Sequence, residues 1–252
     1  MPDELRDAAT DLLLGGRCVG CAGPGRVLCR SCRAGLPRGA GLVWPTPVPA
    51  GLAPPYAPAA YDGVVRAMVI AHKEHAVLGL RDPLAELLAD AVHAADVSGP
   101  VVLVPVPSRP ASVRARGHDH THALASAAAR LLRAGGHDVV ALRMLHPRPG
   151  VVDQAGLDAA QRAANLAGSM ACPSSRVRRL ARVRPRARLV VCDDVLTTGA
   201  TAREAQRALE AVGLPVAAVA TVAATRRRRP GGATDLHSES SGERVSPSPS
   251  TL

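Results

Sequence analysis

Aromatic side chains are almost missing from this chain of 252 residues, which contains no Phe, two Tyr and one Trp. Apolar residues nevertheless make up 47% of the chain, enough to bury a hydrophobic core. The interior therefore has to be built mainly from Ala, Val and Leu. Side chains of this size suit helices packed on a sheet that is buried on both faces.

Helix-like and strand-like segments alternate from residue 59 onward. The run 101–106 is continuously apolar, which is typical of a strand buried on both faces. Helical spacing of apolar residues and short apolar runs predict, in chain order, helix 84–95 with Asp82-Pro83 as its N-cap and first position, strand 101–106, helix 120–133, strand 139–145, strand 189–192, helix 201–212 and strand 216–222. This alternation predicts an α/β fold with a parallel sheet.

Composition divides the chain into four parts. Residues 15–36 form a small unit rich in Gly and Cys, and residues 37–58 are rich in Pro and predict an extended connector. The α/β pattern occupies residues 59–225. Residues 226–252 begin with arginines and continue with Ser, Glu and Pro, a composition that predicts a disordered tail.

The charge balance is strongly basic, with 31 Lys and Arg residues against 21 acidic ones. Such a chain suits anionic partners such as phosphates or nucleic acid. No apolar run is long enough to predict a membrane span, and the first residues lack the pattern of a secretion signal. We therefore expect a cytoplasmic protein, in which six cysteines indicate metal binding or packing and not a disulfide framework.

Four of the cysteines have the spacing of a metal site. Cys18 and Cys21 are separated by two residues, as are Cys29 and Cys32, and seven residues lie between the pairs. Four thiolates favour tetrahedral Zn²⁺ in a closed structural site. An iron–sulfur cluster and a redox pair are the alternatives. Cys172 and Cys192 are interpreted as apolar core residues.

The strongest chemical signal follows strand 189–192. Two carboxylates, Asp193 and Asp194, are followed by a loop of small residues, namely Thr197, Thr198, Gly199, Ala200 and Thr201. Such a loop leaves backbone N–H groups free at a helix N-terminus, where they suit a phosphate. The lysine of a P-loop is missing, which excludes a P-loop ATPase. Carboxylates accept hydrogen bonds from sugar hydroxyls beside a metal ion, so the segment predicts a ribose 5-phosphate site; the alternative is a capped turn with solvated acids.

Segment 193–199 resembles the phosphoribosyl-pyrophosphate (PRPP) motif of type I phosphoribosyltransferases. With Pro-Val-Pro at 105–107 and the four-cysteine unit, residues 15–225 resemble the ComF (GntX-like) family, which is associated with competence and DNA uptake. The family's third element is matched by Gln154, Leu157, Arg162 and Asn165. Residues 116–120 read Arg-Gly-His-Asp-His where the family has Arg-Gly-Phe-Asn-Gln.

The resemblance implies a parallel sheet of type I phosphoribosyltransferase kind and a site for PRPP with Mg²⁺. Asp193 and Asp194 would hold the ribose hydroxyls, and the loop 197–201 would hold the 5′-phosphate. Lys73, the only lysine of the chain, would face the pyrophosphate together with Arg114 or Arg116. The expected reaction transfers the phosphoribosyl group and releases pyrophosphate.

A second hypothesis is a non-catalytic module of DNA uptake that docks single-stranded DNA or a helicase partner. The stretch 176–188 contains seven arginines and no acidic residue. It is interpreted either as a solvated surface loop or as a nucleic-acid contact. His72 and His75 are expected at the surface.

Overall fold

The computed structural model describes residues 16–108, 119–148 and 166–225. The helices in these ranges are α1 (Arg30–Ala34), α2 (Gly63–Glu74), α3 (Arg81–Ala94), α4 (His120–Ala134), α5 (Ser174–Val183) and α6 (Ala200–Glu210). The strands are β1 (Gly41–Leu42), β2 (Pro55–Ala57), β3 (Ala59–Ala60), β4 (Val101–Pro105), β5 (Val139–Ala141), β6 (His146–Pro147), β7 (Met170–Ala171), β8 (Arg188–Leu196) and β9 (Val216–Ala224). The predicted alternation of strands and helices is confirmed.

The central sheet has the strand order β1-β2-β9-β8-β4-β5, and β3 pairs with β9 beyond the end of β2. Its pairs are parallel except β1 with β2, which is antiparallel. Strands β6 and β7 form a separate antiparallel pair. The mixed α/β architecture with a largely parallel sheet is therefore as predicted.

Helices cover the sheet on both faces, and the side chains of the central strands alternate between them. Along β4, Val101 and Leu103 pack in the layer that contains α3 and α4. Val102 and Val104 point to the opposite layer, which contains α6. Among the described residues, the largest fully buried side chains are Met, Leu, Val and His, and Tyr56 and Tyr61 lie only at the edge of the core, so its centre contains no Phe, Tyr or Trp.

Two element boundaries differ from the prediction. Helix α3 begins at Arg81, directly after a 3₁₀ turn at Leu78–Leu80, so Asp82 is not the N-cap. Asp82 and Pro83 lie in the first turn of α3. The N–H groups of a first turn have no partner within the helix, so the N–H that proline lacks costs no hydrogen bond there. Strand β8 is longer than 189–192, because β9 pairs with it as far as Leu196. The predicted strand 139–145 ends at Ala141.

The Pro-rich segment 37–58 is part of the folded domain and not only a connector. It contributes β1 and β2 to the sheet. Helix α6 holds the stretch between them: Gln206 accepts a hydrogen bond from Ala53 N at 2.9 Å and donates one to Gly51 O at 2.8 Å. Arg203 Nε donates to Ala50 O at 2.9 Å.

The interpretation of the arginine-rich stretch as a loop is wrong, since residues 174–183 form helix α5. Leu180 is its buried residue, and the arginines lie on the other sides of the helix. The expectation for His72 is also wrong. Its ring is buried, with Nδ1 3.2 Å from Val77 O. The predicted tail, 226–252, lies outside the described residues.

Candidate functional site

A crevice opens where β4 and β8 part. The pairing of β4 with β8 ends at the hydrogen bond from Val106 N to Cys192 O, which is 2.9 Å long. Strand β8 continues beyond this point to Leu196, paired with β9 alone. Helix α4, which follows β4, and helix α6, which follows β8, lie in opposite layers. This is a topological switch point of a parallel sheet, the position where ligands bind in open α/β folds.

A cavity of about 520 Å³ occupies this crevice, a size typical of small-molecule sites. Asp193, Asp194, Lys73, Thr197 and Thr201 line it together. The structure therefore brings together residues that the sequence analysis singled out from two distant segments. Arg114 and Arg116 lie outside the described residues.

Lys73 and Asp194 form an ion pair in the wall of the cavity. Lys73 Nζ lies 2.6 Å from Asp194 Oδ2; 35% of the lysine side chain is exposed, against 6% of the aspartate side chain. Burial alone would raise the pKa of Asp194, but contacts with His120 and Lys73 outweigh it and hold that pKa below its ordinary value. Burial lowers the pKa of Lys73, and the Asp194 charge more than offsets this, so the pKa is raised. Both groups are thus charged at neutral pH.

Asp193 differs from its neighbour in environment. Burial, followed by the negative charge of Asp194, raises the pKa of Asp193 well above its ordinary value. Asp193 Oδ1 accepts a hydrogen bond from Asp194 N at 2.9 Å, and Asp194 Oδ1 accepts one from Val195 N at 2.9 Å. The adjacent acids therefore offer one firmly ionised carboxylate and one that protonates readily.

Two residues that were not among the predicted site residues, Ser108 and His120, also line the cavity. His120 Nε2 lies 3.5 Å from Asp194 Oδ2, and His120 Nδ1 lies 3.4 Å from Ser108 Oγ. Ser108 Oγ donates to Asp119 Oδ1 at 3.1 Å. The available signals were the position of Ser108 just after the Pro-Val-Pro strand end and the unusual His-Asp-His stretch.

The threonine loop turns sharply before α6. Thr197 and Thr201 line the cavity, whereas Thr198, Gly199 and Ala200 form the turn between them, with Ala200 N donating to Thr198 Oγ1 at 3.4 Å. Gly199 has φ 74°. A Cβ there would also lie 3.1 to 3.2 Å from the side chains of Pro45, Pro49 and Leu52. The Pro-rich segment thus packs on the loop so closely that only glycine suits this position.

A second cavity, of about 580 Å³, adjoins the first and shares Thr197 with it. Trp44, the only tryptophan of the chain, lies in its wall and is 46% exposed. Thr46 and Thr225 also line it. Thr225 Oγ1 lies 3.5 Å from Thr197 O, which joins the end of β9 to the threonine loop.

The four predicted metal ligands come together as one cluster. The Sγ atoms of Cys18, Cys21, Cys29 and Cys32 all lie within 4.8 Å of one another, and those of Cys21 and Cys29 are 3.7 Å apart. A tetrahedral zinc site with Zn–S bonds of about 2.3 Å has S–S edges of about 3.8 Å. The cluster therefore has the donors and the spacing to hold a metal such as zinc.

Backbone hydrogen bonds in the cluster favour ionisation of Cys18, whereas the hydrogen bond with Cys29, followed by burial, raises the pKa of Cys32 to about 12. Cys29 N donates to Cys18 Sγ at 3.3 Å, and Cys32 N lies 3.4 Å from Cys29 Sγ. Burial would raise the pKa of Cys18, but the backbone hydrogen bonds outweigh it and lower the pKa to about 6. Deprotonated sulfur is the form that binds metal.

The cysteine unit is fixed to the α/β domain. A Cβ on Gly20 would lie 3.1 Å from a methyl group of Val64 in α2, which shows how closely the two surfaces approach. Arg33 forms an ion pair with Glu86 of α3. Gly39 N donates to Asp90 Oδ2 of the same helix at 3.2 Å. The predicted metal unit therefore packs against α2, which contributes Lys73 to the main cavity, and against α3.

None of the helices in the described ranges combines the length and apolar character needed to span a bilayer. No protein-family model matches the chain, and no curated protein matches its sequence.

Proposed function

We propose that the protein binds PRPP with Mg²⁺, or ribose 5-phosphate, in the cavity at the switch point, and that it transfers the phosphoribosyl group of PRPP to an acceptor with release of pyrophosphate. The observation that carries this proposal is the meeting of an acid pair, a lysine and a threonine loop around one cavity of about 520 Å³. The motif resemblance to the ComF family supports the same function.

Each part of the cavity suits one part of the substrate. Asp193 and Asp194 accept hydrogen bonds from the ribose hydroxyls, and Asp193 can also donate one when it is protonated. The loop 197–201 and the N-terminus of α6 hold the 5′-phosphate through threonine hydroxyls and backbone N–H groups. Lys73 provides a positive charge for the pyrophosphate. The step breaks the bond between ribose C1 and the pyrophosphate oxygen, and an acceptor atom forms the new bond to C1.

The donor set also suits Mg²⁺, because hard carboxylate oxygens together with substrate phosphates are its usual ligands. Asp194 and Asp193 would hold the ion together with the pyrophosphate. The ion would neutralise the negative charge that develops on the departing pyrophosphate. The contribution of the protein is positioning and electrostatic stabilisation, without a covalent intermediate.

Isothermal titration with PRPP and Mg²⁺ tests the assignment. The double change Asp193→Asn and Asp194→Asn is expected to weaken PRPP binding by about 100-fold or more, because the charge-assisted hydrogen bond of Asp194 and the hydrogen bond of Asp193 to the ribose are both lost. The test is stringent, since removing negative charge would strengthen any nonspecific attraction of PRPP.

The matched control is Asp82→Asn with Asp96→Asn, which changes two exposed carboxylates that do not line the cavity. It should leave PRPP affinity unchanged. Equal affinity of the unchanged protein and the Asp193/Asp194 double variant contradicts the pocket assignment. A pyrophosphate-release screen over purines, pyrimidines and simple amines then identifies the acceptor class.

The exposed arginines of α5 favour a second candidate, docking of single-stranded nucleic acid. Arg178, Arg179 and Arg182 are exposed on this helix. In contrast, Arg176 donates to Leu145 O, and Arg184 pairs with Asp138, so these two serve the fold. A row of exposed guanidinium groups suits a phosphate backbone.

Salt-dependent binding of a single-stranded oligonucleotide tests this candidate. Arg178→Gln with Arg182→Gln is expected to reduce the slope of log K against log salt by about 0.7 for each phosphate that the helix no longer neutralises. The control is Arg66→Gln with Arg130→Gln, two exposed arginines on other helices. A slope that stays unchanged in the α5 variant, or falls equally in the control, excludes α5 as the docking surface.

A further inference from the structure

The second cavity presents an exposed aromatic ring in a chain that has almost none. Trp44 is the only tryptophan of the sequence, and 46% of it is exposed in the wall of this cavity of about 580 Å³. A tryptophan buries most of its surface in an ordinary fold, because its apolar area is large. Its exposure inside a concave wall is therefore typical of a binding surface.

The backbone on both sides of Trp44 is held in place. Before it, Val43 N donates to Pro55 O at 2.9 Å, which ties the end of β1 to β2. After it, the buried Pro45 packs on the threonine loop, where a Cβ on Gly199 would lie 3.1 Å from the proline ring. The indole is thus presented by a fixed backbone, so a ligand that stacks on it has little chain to order on binding.

The rest of the lining is neutral and carries hydroxyl groups. None of the described residues that line this cavity has an ionisable side chain. Thr46, Thr197 and Thr225 contribute hydroxyl groups to it, and all three residues are exposed. The Thr225 hydroxyl lies 3.5 Å from both Leu196 O and Thr197 O, so its internal hydrogen bonds are long and it can turn to a ligand. A stacking face beside hydroxyl groups suits an uncharged planar ring with polar edges, and these side chains offer no cation to a phosphate.

We propose that the second cavity binds a nucleobase, free or as a nucleoside, stacked on the indole of Trp44 with its polar edge toward the threonine hydroxyls. Every base has a face that stacks on an aromatic side chain, and a hydroxyl can both donate to and accept from the groups on the edge of a base. The cavity volume lies in the range of small-molecule sites. The inference goes beyond the proposed function, because it concerns the neighbouring cavity and requires neither PRPP nor Mg²⁺.

Intrinsic fluorescence reports on this cavity directly, because Trp44 is the only indole of the chain. Titration with adenosine, without PRPP or Mg²⁺ and with excitation at the red edge of tryptophan absorption, is expected to quench the emission to saturation. Ribose alone should have no effect. Isothermal titration measures the affinity of the variants. Trp44→Leu keeps an apolar side chain but no stacking face and should weaken adenosine binding by about 10–100-fold, whereas Trp44→Phe should retain most of the affinity.

Two further variants separate recognition of the ring from a general effect on the fold. Thr225→Val keeps the shape of the side chain without its hydroxyl and should weaken adenosine binding by about 3–10-fold, the effect of one hydrogen bond. The control is Leu131→Ala, which shortens an exposed apolar side chain of α4 outside this cavity and should leave the affinity unchanged. Thermal unfolding of the Trp44 variants should stay close to that of the unchanged protein, because the ring is half exposed.

Three results would overturn the inference. One is the absence of saturable adenosine binding, or equal adenosine affinity in the unchanged protein and Trp44→Leu. Another is binding of a single-stranded oligonucleotide without binding of adenosine, which would make Trp44 part of a nucleic-acid surface. The third is a dimer in sedimentation that Trp44→Leu dissociates, because a second copy of the chain would then occupy the cavity. The proposed function is tested apart from this, since adenosine binding can stand where PRPP binding fails, and the reverse.

Discussion

Replacing Cys18 by serine is expected to abolish stoichiometric zinc binding and to unfold the cysteine unit. Cys18 is the buried member of the cluster and accepts the hydrogen bond from Cys29 N. Mutation of residues that only hydrogen-bond to metal ligands weakens metal binding by about 10–100-fold. Removal of a ligating thiolate should therefore weaken zinc binding by more than about 100-fold. Structural zinc contributes on the order of 10 kcal/mol to the folding of such small units.

Metal analysis of the purified protein and a colorimetric zinc-release assay measure this effect. The unchanged protein should carry one zinc per chain, and a chelator should expose the unit to proteolysis. Cys172→Ser is the matched control, because Cys172 is buried outside the cluster and its replacement should leave zinc content unchanged. Full zinc content in Cys18→Ser would contradict the tetrathiolate site, and visible absorption with bound iron would indicate a cluster instead of zinc.

Replacing Lys73 by methionine is expected to weaken PRPP binding by about 10–100-fold and to destabilise the fold. The variant keeps the length of the side chain but leaves Asp194, 6% exposed, with His120 alone. Breaking a buried pair costs about 3–5 kcal/mol; because Lys73 is one-third exposed and His120 remains, we expect about 1–3 kcal/mol. Chemical denaturation and calorimetric titration with PRPP measure the two effects separately.

The stability effect of Lys73→Met should depend on pH. The pKa of Asp194 is lower in the folded chain than in the unfolded chain, where it is about 3.9. The stability gained from the ion pair is therefore fully present above about pH 4 and is lost as pH falls below it. Unfolding curves of the two proteins should converge in acid, and a constant difference would contradict the pairing.

Lys73→Arg is the control for charge. It should restore much of the stability, because Asp194 regains a cationic partner. If Lys73 contacts the pyrophosphate as a point charge, PRPP affinity should recover only in part, since the planar guanidinium presents its donors differently. Full recovery of affinity by arginine would show that net charge alone matters at this position.

Much of the architecture follows from local sequence patterns. The apolar runs at β4 and β8 and the helical spacing in α3, α4 and α6 predict an α/β chain, because burial on both faces of a sheet requires such patterns. The spacing of Cys18, Cys21, Cys29 and Cys32 likewise predicts one cluster. The predicted strand boundaries were less accurate. Strand β8 extends to Leu196 because β9 pairs with it that far, and this pairing cannot be seen in the sequence of β8.

Only some of the residues of the candidate site could be predicted from the sequence. Asp193, Asp194 and the threonine loop are contiguous, so their joint chemistry can be predicted from one segment. His120 and Ser108 carry only a weak signal in the sequence, because a histidine at the start of a helix and a serine after a strand have many ordinary structural roles. Both residues line the cavity only because β4 and β8 separate at their carboxyl ends, and this separation follows from the strand order of the sheet.

Residues that are neighbours along the chain specify the four clustered cysteines, the acid pair, the threonine loop and the α/β class of the fold. Tertiary structure alone decided that Lys73 meets Asp194 across 121 positions and that the Pro-rich segment packs on Gly199. The physical reason is that contacts between distant segments are set by which strands pair and which face each helix covers. No local pattern of side chains contains that information.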